Sequence, residues 1–212
     1  YGFKIRNDGL EYRPAQVEFI RFFLDRRVSQ ILQAPTGSGK TTVCGAIASF
    51  YRSRGLPVIF LAPTIDIVRQ QAARLSHLCQ EQVTILDGTI EPEVRARIYE
   101  TNPGLIVAIP HVILNDITHE RFSLNRAGLI IFDEIHHATG DYPYVPIIKK
   151  ARETGNVILG LSATPAKQIG SNGWTKLDDL KKLVGTPHIF PLNFAAHRPE
   201  VRCEMLEFPP NI

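Results

Sequence analysis

An α/β domain with a mostly parallel central sheet flanked by helices is the fold that this chain of 212 residues predicts. Three observations predict it. Short apolar runs alternate with longer helix-like runs, the pattern that builds strand–helix–strand units. A glycine-rich turn, Ala34-Pro35-Thr36-Gly37-Ser38-Gly39-Lys40-Thr41, joins one apolar run to a helix-like run. A further run, Leu129-Ile130-Ile131-Phe132, is apolar throughout and ends on Asp133-Glu134. A strand reads this way when both faces of its sheet are covered.

Taken in order, the first helix runs from Pro14 to Arg27, with proline at a favoured first-turn position. Strands are expected at 30–34, 57–62, 83–86, 104–109, 128–132 and 156–161. Helices are expected at 40–54, 65–80, 91–100, 110–117, 144–153 and 176–184. Gly170-Ser171-Asn172-Gly173 reads as a loop, and prolines 187, 191, 199, 209 and 210 punctuate the remainder. Residues 1–190 are therefore read as one domain. Residues 191–212 are read as a last strand, Val201 to Phe208, or as the start of a linker.

Composition narrows the class. With 44% hydrophobic and 21% charged residues, the chain has the make-up of an ordinary globular domain, and 212 residues are short for two full ones. The formal charge of +3 permits a nucleic-acid partner without requiring one. Cys44, Cys79 and Cys203 lie far apart, with no C-x-x-C pair, which argues against a zinc site or a disulfide framework. That usage points to a reducing, intracellular setting: cytoplasm, nucleoid or nucleus. No run of 18 apolar residues and no leader pattern occurs, so no membrane partner is expected. The chain opens on Tyr1 rather than Met, as a fragment of a longer chain would.

The two singled-out segments carry the chemistry. A glycine-rich turn between a strand and a helix gathers backbone N–H groups into a concavity backed by the positive end of the helix, which suits phosphate oxygens. Lys40 would reach the β- and γ-phosphates of a nucleotide, and the Thr41 hydroxyl would bind Mg²⁺. Asp133 ends its strand at the sheet edge where ligands bind in open α/β folds, and there it can hold Mg²⁺ in the outer shell. Glu134 can orient or deprotonate an attacking water.

The ordered set of motifs resembles the first RecA-like domain of superfamily 2 helicases. The phosphate loop reads APTGSGKT, with Ala34 where the first glycine usually stands. Asp133-Glu134-Ile135-His136 is similar to the D-E-x-H box, and Ser162-Ala163-Thr164 to the S-A-T motif. Ala62 to Gln70 resembles the P-T-R-E-L-A-x-Q element with Ile65 in place of Arg, and Arg13-Pro14-Ala15-Gln16 resembles the upstream adenine motif. The string from Asp133 to His137, followed by Leu161 to Pro165, looks more like DNA-repair translocases than DEAD-box RNA proteins.

This resemblance implies an ATP-binding, Mg²⁺-dependent helicase or translocase motor domain, with DNA favoured over RNA as partner. It implies a second RecA-like domain outside this chain. Catalytic roles fall to Lys40 and Glu134. Nucleotide contacts fall to Arg13, Gln16, Thr36, Gly37, Ser38, Gly39, Lys40, Thr41, Thr42 and Asp133, with Thr41 and Asp133 on the metal. Arg13 and Gln16 also read as an ordinary solvated helix start. Pro63, Thr64, Gly88, Pro110 and His111 are the nucleic-acid candidates; Thr64 reads equally well as the N-cap of the following helix. Coupling falls to His136, Ser162 and Thr164. His136 and His137, as neighbours, are expected to point apart and not to share a metal. Tyr142, Tyr144 and Trp174 read as packing or loop residues. The alternative function is a non-catalytic helicase-like module that holds nucleic acid or a protein partner.

Overall fold

The computed structural model describes residues 12–163, 176–186 and 189–192. Seven strands form one sheet: β1 (Gln30–Gln33), β2 (Val58–Leu61), β3 (Thr84–Leu86), β4 (Leu105–Ala108), β5 (Leu129–Phe132), β6 (Val157–Ser162) and β7 (Ile189–Pro191). Seven helices are interleaved: α1 (Pro14–Arg26), α2 (Lys40–Ser53), α3 (Ile65–Cys79), α4 (Pro92–Glu100), α5 (Pro110–Thr118), α6 (Tyr144–Glu153) and α7 (Lys176–Val184). The order across the sheet is β3-β4-β2-β5-β6-β1-β7, and every pairing is parallel.

The apolar strands are explained by burial on both faces. Val58, Phe60, Leu129 and Ile131 pack into one core with α1, α2 and α3, where Phe19, Phe23 and Ile47 are fully buried. Their alternates Ile59, Leu61, Ile130 and Phe132 pack into a second core with α5 and α6. Consecutive residues of a strand point to opposite faces, so a strand between two cores must be apolar at every position.

All six expected strands and seven expected helices are present, each within one residue at either end. One strand was not anticipated. β7 is three residues long, ends on Pro191 and lies at the edge beside β1, where a proline costs no ladder hydrogen bond. It straddles the expected boundary at residue 190. The region 201–208 lies outside the described residues, as do Thr164, Trp174 and the 170–173 loop.

The chain crosses from β1 to β2 over the places later filled by β5 and β6. This is a topological switch, and the crevice it leaves lies at the carboxyl ends of the strands. The glycine-rich loop leaves β1 there, Asp133 follows β5, and Ser162 ends β6. Pro63, Gly88 and Pro110 follow β2, β3 and β4 at the same edge.

Candidate functional site

The glycine-rich loop is held from two sides. Ala34 N–H donates to Ser162 O at 2.9 Å, which fixes its start to β6. Gly39 caps α2 with φ at +83°, a left-handed conformation that glycine tolerates without steric cost. A Cβ there would also lie 2.5 Å from Gln16 Nε2. That amide donates to Ser38 O at 2.9 Å, while its Oε1 accepts from Arg13 N–H at 2.8 Å. Gln16 is thus buried, with its acceptor and one donor direction used to bind the start of α1 to the loop.

Lys40 is the first residue of α2, so the unsatisfied N–H groups of that helix open beside it. Its Nζ donates to Ala34 O at 2.9 Å and to Pro35 O at 3.5 Å, inside the curve of the loop. Pro35, Thr36 and Gly37 form an exposed rim, and Thr42 is buried beneath. Ser38 Oγ is buried and has no hydrogen-bond partner among the described residues. A cradle lined by a buried, unsatisfied hydroxyl, a lysine and a helix N-terminus fits a phosphate chain.

Asp133 is 6% exposed. Burial, and then the charge of Glu134, push its carboxyl up to about 6; the Glu134 N–H and Lys40 oppose them. Oδ1 accepts from Glu134 N–H at 3.1 Å. Tyr144, fully buried at the start of α6, donates to Asp133 O at 2.8 Å and lies 3.1 Å from Leu61 O, so it clamps the ends of β5 and β2. The sequence suggested a packing or loop residue; the side chain is packed in the core, and the hydroxyl gives it a second task.

Glu134 adopts φ +48° and ψ +52°, strained for a residue with a Cβ. This turn sends its carboxylate toward β6, where Oε2 accepts from Ala163 N–H at 3.4 Å and lies 3.2 Å from His136 Nδ1. His136 Nδ1 also lies 3.3 Å from Ser162 Oγ, so two of the three coupling candidates meet. Burial, and then His137, lower the His136 pKa, with Glu134 opposing them. The His136 and His137 rings do not diverge as expected: their centroids are 4.4 Å apart.

Gln71 is the site residue that sequence reasoning missed. The motif-like run ended at Gln70, which is exposed; the next residue faces the site. Thr41 Oγ1 donates to Gln71 Oε1 at 2.9 Å, and Gln71 Nε2 donates to Asp133 Oδ2 at 3.5 Å. One amide therefore bridges the two candidate metal ligands. Among the described residues no three carboxylate, histidine or cysteine side chains converge on a cation position. A hydroxyl and a carboxylate fit Mg²⁺, which usually takes its other ligands from phosphate and water.

The remaining candidates occupy the other half of the edge. Thr64 is exposed, and its Oγ1 accepts from Ile67 N–H at 3.4 Å, so it does cap α3. Gly88 is exposed, Pro63 half-buried, Pro110 buried and His111 exposed. The turn at Gly88 is braced: Asp87 Oδ1 accepts from Thr89 N–H at 2.8 Å, and Arg95 donates to Ile90 O. Arg95 is held in turn by fully buried Asp116, with Nε–Oδ2 at 2.6 Å and Nη2–Oδ1 at 2.8 Å. The sequence offered no motif that marks this pair.

Residues 9–167 match the family described as type III restriction enzyme, res subunit (ResIII). The putative ATP-dependent RNA helicase MJ1505 of Methanocaldococcus jannaschii is 33% identical over 158 residues, 73% of this chain and 19% of its own length. The ATP-dependent DNA helicase MPH1 of Coccidioides immitis is 32% identical over 146 residues, 66% of this chain and 13% of its own. The chain thus spans under a fifth of either helicase. The crystal structure of the Pyrococcus furiosus Hef helicase domain superposes with a TM-score of 0.76 at 31% identity, over 89% of this chain and 39% of that one. With the family match running through most of the chain and the same fold in a solved helicase domain, this chain belongs to the superfamily 2 helicases and carries their first RecA-like domain.

Proposed function

We propose that this domain is the nucleotide-binding half of an ATP-dependent helicase or translocase motor. The observation that carries the proposal is the hydrogen-bonded chain Thr41–Gln71–Asp133, which brings the loop after β1 and the acids after β5 to one place. On this reading Lys40 leaves its loop carbonyls to neutralise the β- and γ-phosphates, and the first N–H groups of α2 hold phosphate oxygens. Thr41 and Asp133 would hold Mg²⁺, which supplies charge neutralisation of the phosphates. Glu134 takes the proton of the attacking water or orients it. Arg13 would face the adenine; Gln16, buried with its acceptor taken by the Arg13 N–H, would brace the loop and has only its second Nε2 proton to offer the base.

Nucleic acid would cross the other half of the edge, over Thr64, Gly88 and His111; buried Pro110 serves to present His111. Such contacts are to phosphate, and they position a strand without reading its bases. DNA is favoured over RNA by the resemblance of the Asp133–His137 string to repair translocases and by the relative named as a DNA helicase. Among the described residues no helix is long and apolar enough to cross a membrane. We place the protein inside the cell with its nucleic acid. A second RecA-like domain would close over the nucleotide and bring the arginine finger, typically worth about 10³–10⁵ in turnover.

The test is ATP affinity beside nucleic-acid-stimulated turnover in the full-length protein, for the parent and for Glu134→Gln. The variant should bind ATP as the parent does and hydrolyse it about 10²-fold more slowly or worse. Equal turnover in both proteins would contradict the role of Glu134. An absence of turnover in a parent that still binds nucleic acid would favour a binding module.

A further inference from the structure

We infer that Gln71 is a positioning residue for the magnesium ligands: it accepts the hydrogen bond of the Thr41 hydroxyl, so that the Thr41 oxygen presents its lone pairs to the cation, and it steers the Asp133 carboxylate. The inference rests on the nucleotide–magnesium reading of the site. A hydroxyl that binds a cation uses an oxygen lone pair and must send its proton elsewhere. Here the acceptor is Gln71 Oε1, 2.9 Å from Thr41 Oγ1. The same amide donates from Nε2 to Asp133 Oδ2 at 3.5 Å. A primary amide suits both tasks, because it accepts at one atom and donates at the other. Its donor also offsets part of the cost of a carboxylate that is 6% exposed.

Helix packing fixes the position of Gln71. Gly45, one turn after Thr41 on α2, leaves no room for a Cβ: one would lie 2.7 Å from Leu78 Cβ on α3. Leu75 and Val68 of α3 are fully buried. The two helices are thereby pressed together along the stretch that begins with Thr41 and Gln71. The N-cap of α3 is Thr64, on the surface proposed for nucleic acid. One helix therefore carries a nucleic-acid candidate at its start and the ligand-orienting amide two turns on. A shift of α3 would be felt at both.

The experiment measures ADP affinity by calorimetry, with and without Mg²⁺, in the full-length protein. Gln71→Met keeps the length of the side chain and removes both hydrogen bonds. It should leave metal-free ADP affinity near the parent's and lower the melting temperature by a few degrees through the lost hydrogen bonds, while the gain in affinity from Mg²⁺ falls about tenfold or more, as for other groups that orient metal ligands. Thr41→Val should lose most of the Mg²⁺ gain, and adding Gln71→Met to it should cost much less than Gln71→Met costs alone, since no hydroxyl proton then remains to be received. Gln71→Asn, whose amide is one methylene too short, should behave like Gln71→Met. An unchanged Mg²⁺ gain in Gln71→Met, or strictly additive effects in the double variant, overturns the inference and leaves the nucleotide reading standing. A parent that binds ADP with no gain from Mg²⁺ overturns both.

Discussion

Asp133→Asn should make the metal-free protein more stable at neutral pH, and the gain should vanish in acid. Asp133 is 6% exposed, and its carboxyl sits at about 6 rather than the ordinary 3.8, chiefly through burial and then through the charge of Glu134. Folding therefore favours the protonated form. Below the unfolded value the carboxyl is protonated in both states and costs nothing. As pH rises from 3.8 to about 6 the unfolded chain gives up its proton first, and the folded state loses stability through that window. Above it the loss is complete, at about 3 kcal/mol. Asparagine keeps the size and the acceptor for the Glu134 N–H and removes the charge; its amide nitrogen replaces the acceptor for Gln71 Nε2, a 3.5 Å contact, so about 3 kcal/mol is the upper end of the gain. In a domain of this size the gain corresponds to roughly 6–12 °C in melting temperature. Calorimetric melting of both proteins in EDTA, without nucleotide, at pH 3.5 and pH 7.5 measures it. A variant no more stable at pH 7.5, or equally stabilised at both pH values, would refute the claim that an ionised, buried Asp133 is held at a cost until a cation arrives.

Three further outcomes follow from the geometry. Tyr144→Phe deprives Asp133 O of its hydroxyl partner and should cost about 1–3 kcal/mol in chemical denaturation; no loss would mean that water replaces the hydroxyl. Gly39→Ala forces a left-handed alanine against Gln16 Nε2 and should weaken ATP binding at least about tenfold while the sheet still folds, with titration calorimetry as the check and unchanged affinity as the contrary result. Single-strand DNA binding should fall with salt at a log–log slope of about −0.7 per phosphate contact, and Thr64→Glu should lower both affinity and slope; insensitivity to both would remove the track from this surface.

Strand positions were legible because the sheet lies between two cores, so its central strands β2, β4 and β5 are uninterrupted apolar runs, as in Leu129 to Phe132. β7 was not, since three residues ending on proline carry no periodicity. The glycine-rich loop and the Asp133-Glu134 pair stood out in the sequence through residue types that few other structures require together, and the structure brings them to one sheet edge. Their geometry was not legible: nothing local announces that Glu134 takes a left-handed turn or that Tyr144 reaches back to Leu61. Gln71 was hidden by register. Glutamines 70 and 71 are identical in type and adjacent, and only the rotation of α3 against α2 decides which one meets Thr41. Thr64 shows the opposite case, where the N-cap reading appears as a hydrogen bond while the phosphate reading needs a partner molecule.

The account rests on the loop after β1 being a nucleotide phosphate site, and the affinity of Lys40→Ala for ATP with Mg²⁺ tests it most directly. The ammonium now held by Ala34 O and Pro35 O would be lost, and with it a charge-assisted contact worth about 1.5–3 kcal/mol. Titration calorimetry should show ATP binding to the parent and binding at least about tenfold weaker to the variant, with the same melting temperature for both in the absence of nucleotide. Equal affinity in the two proteins, or no binding to the parent, would contradict the account.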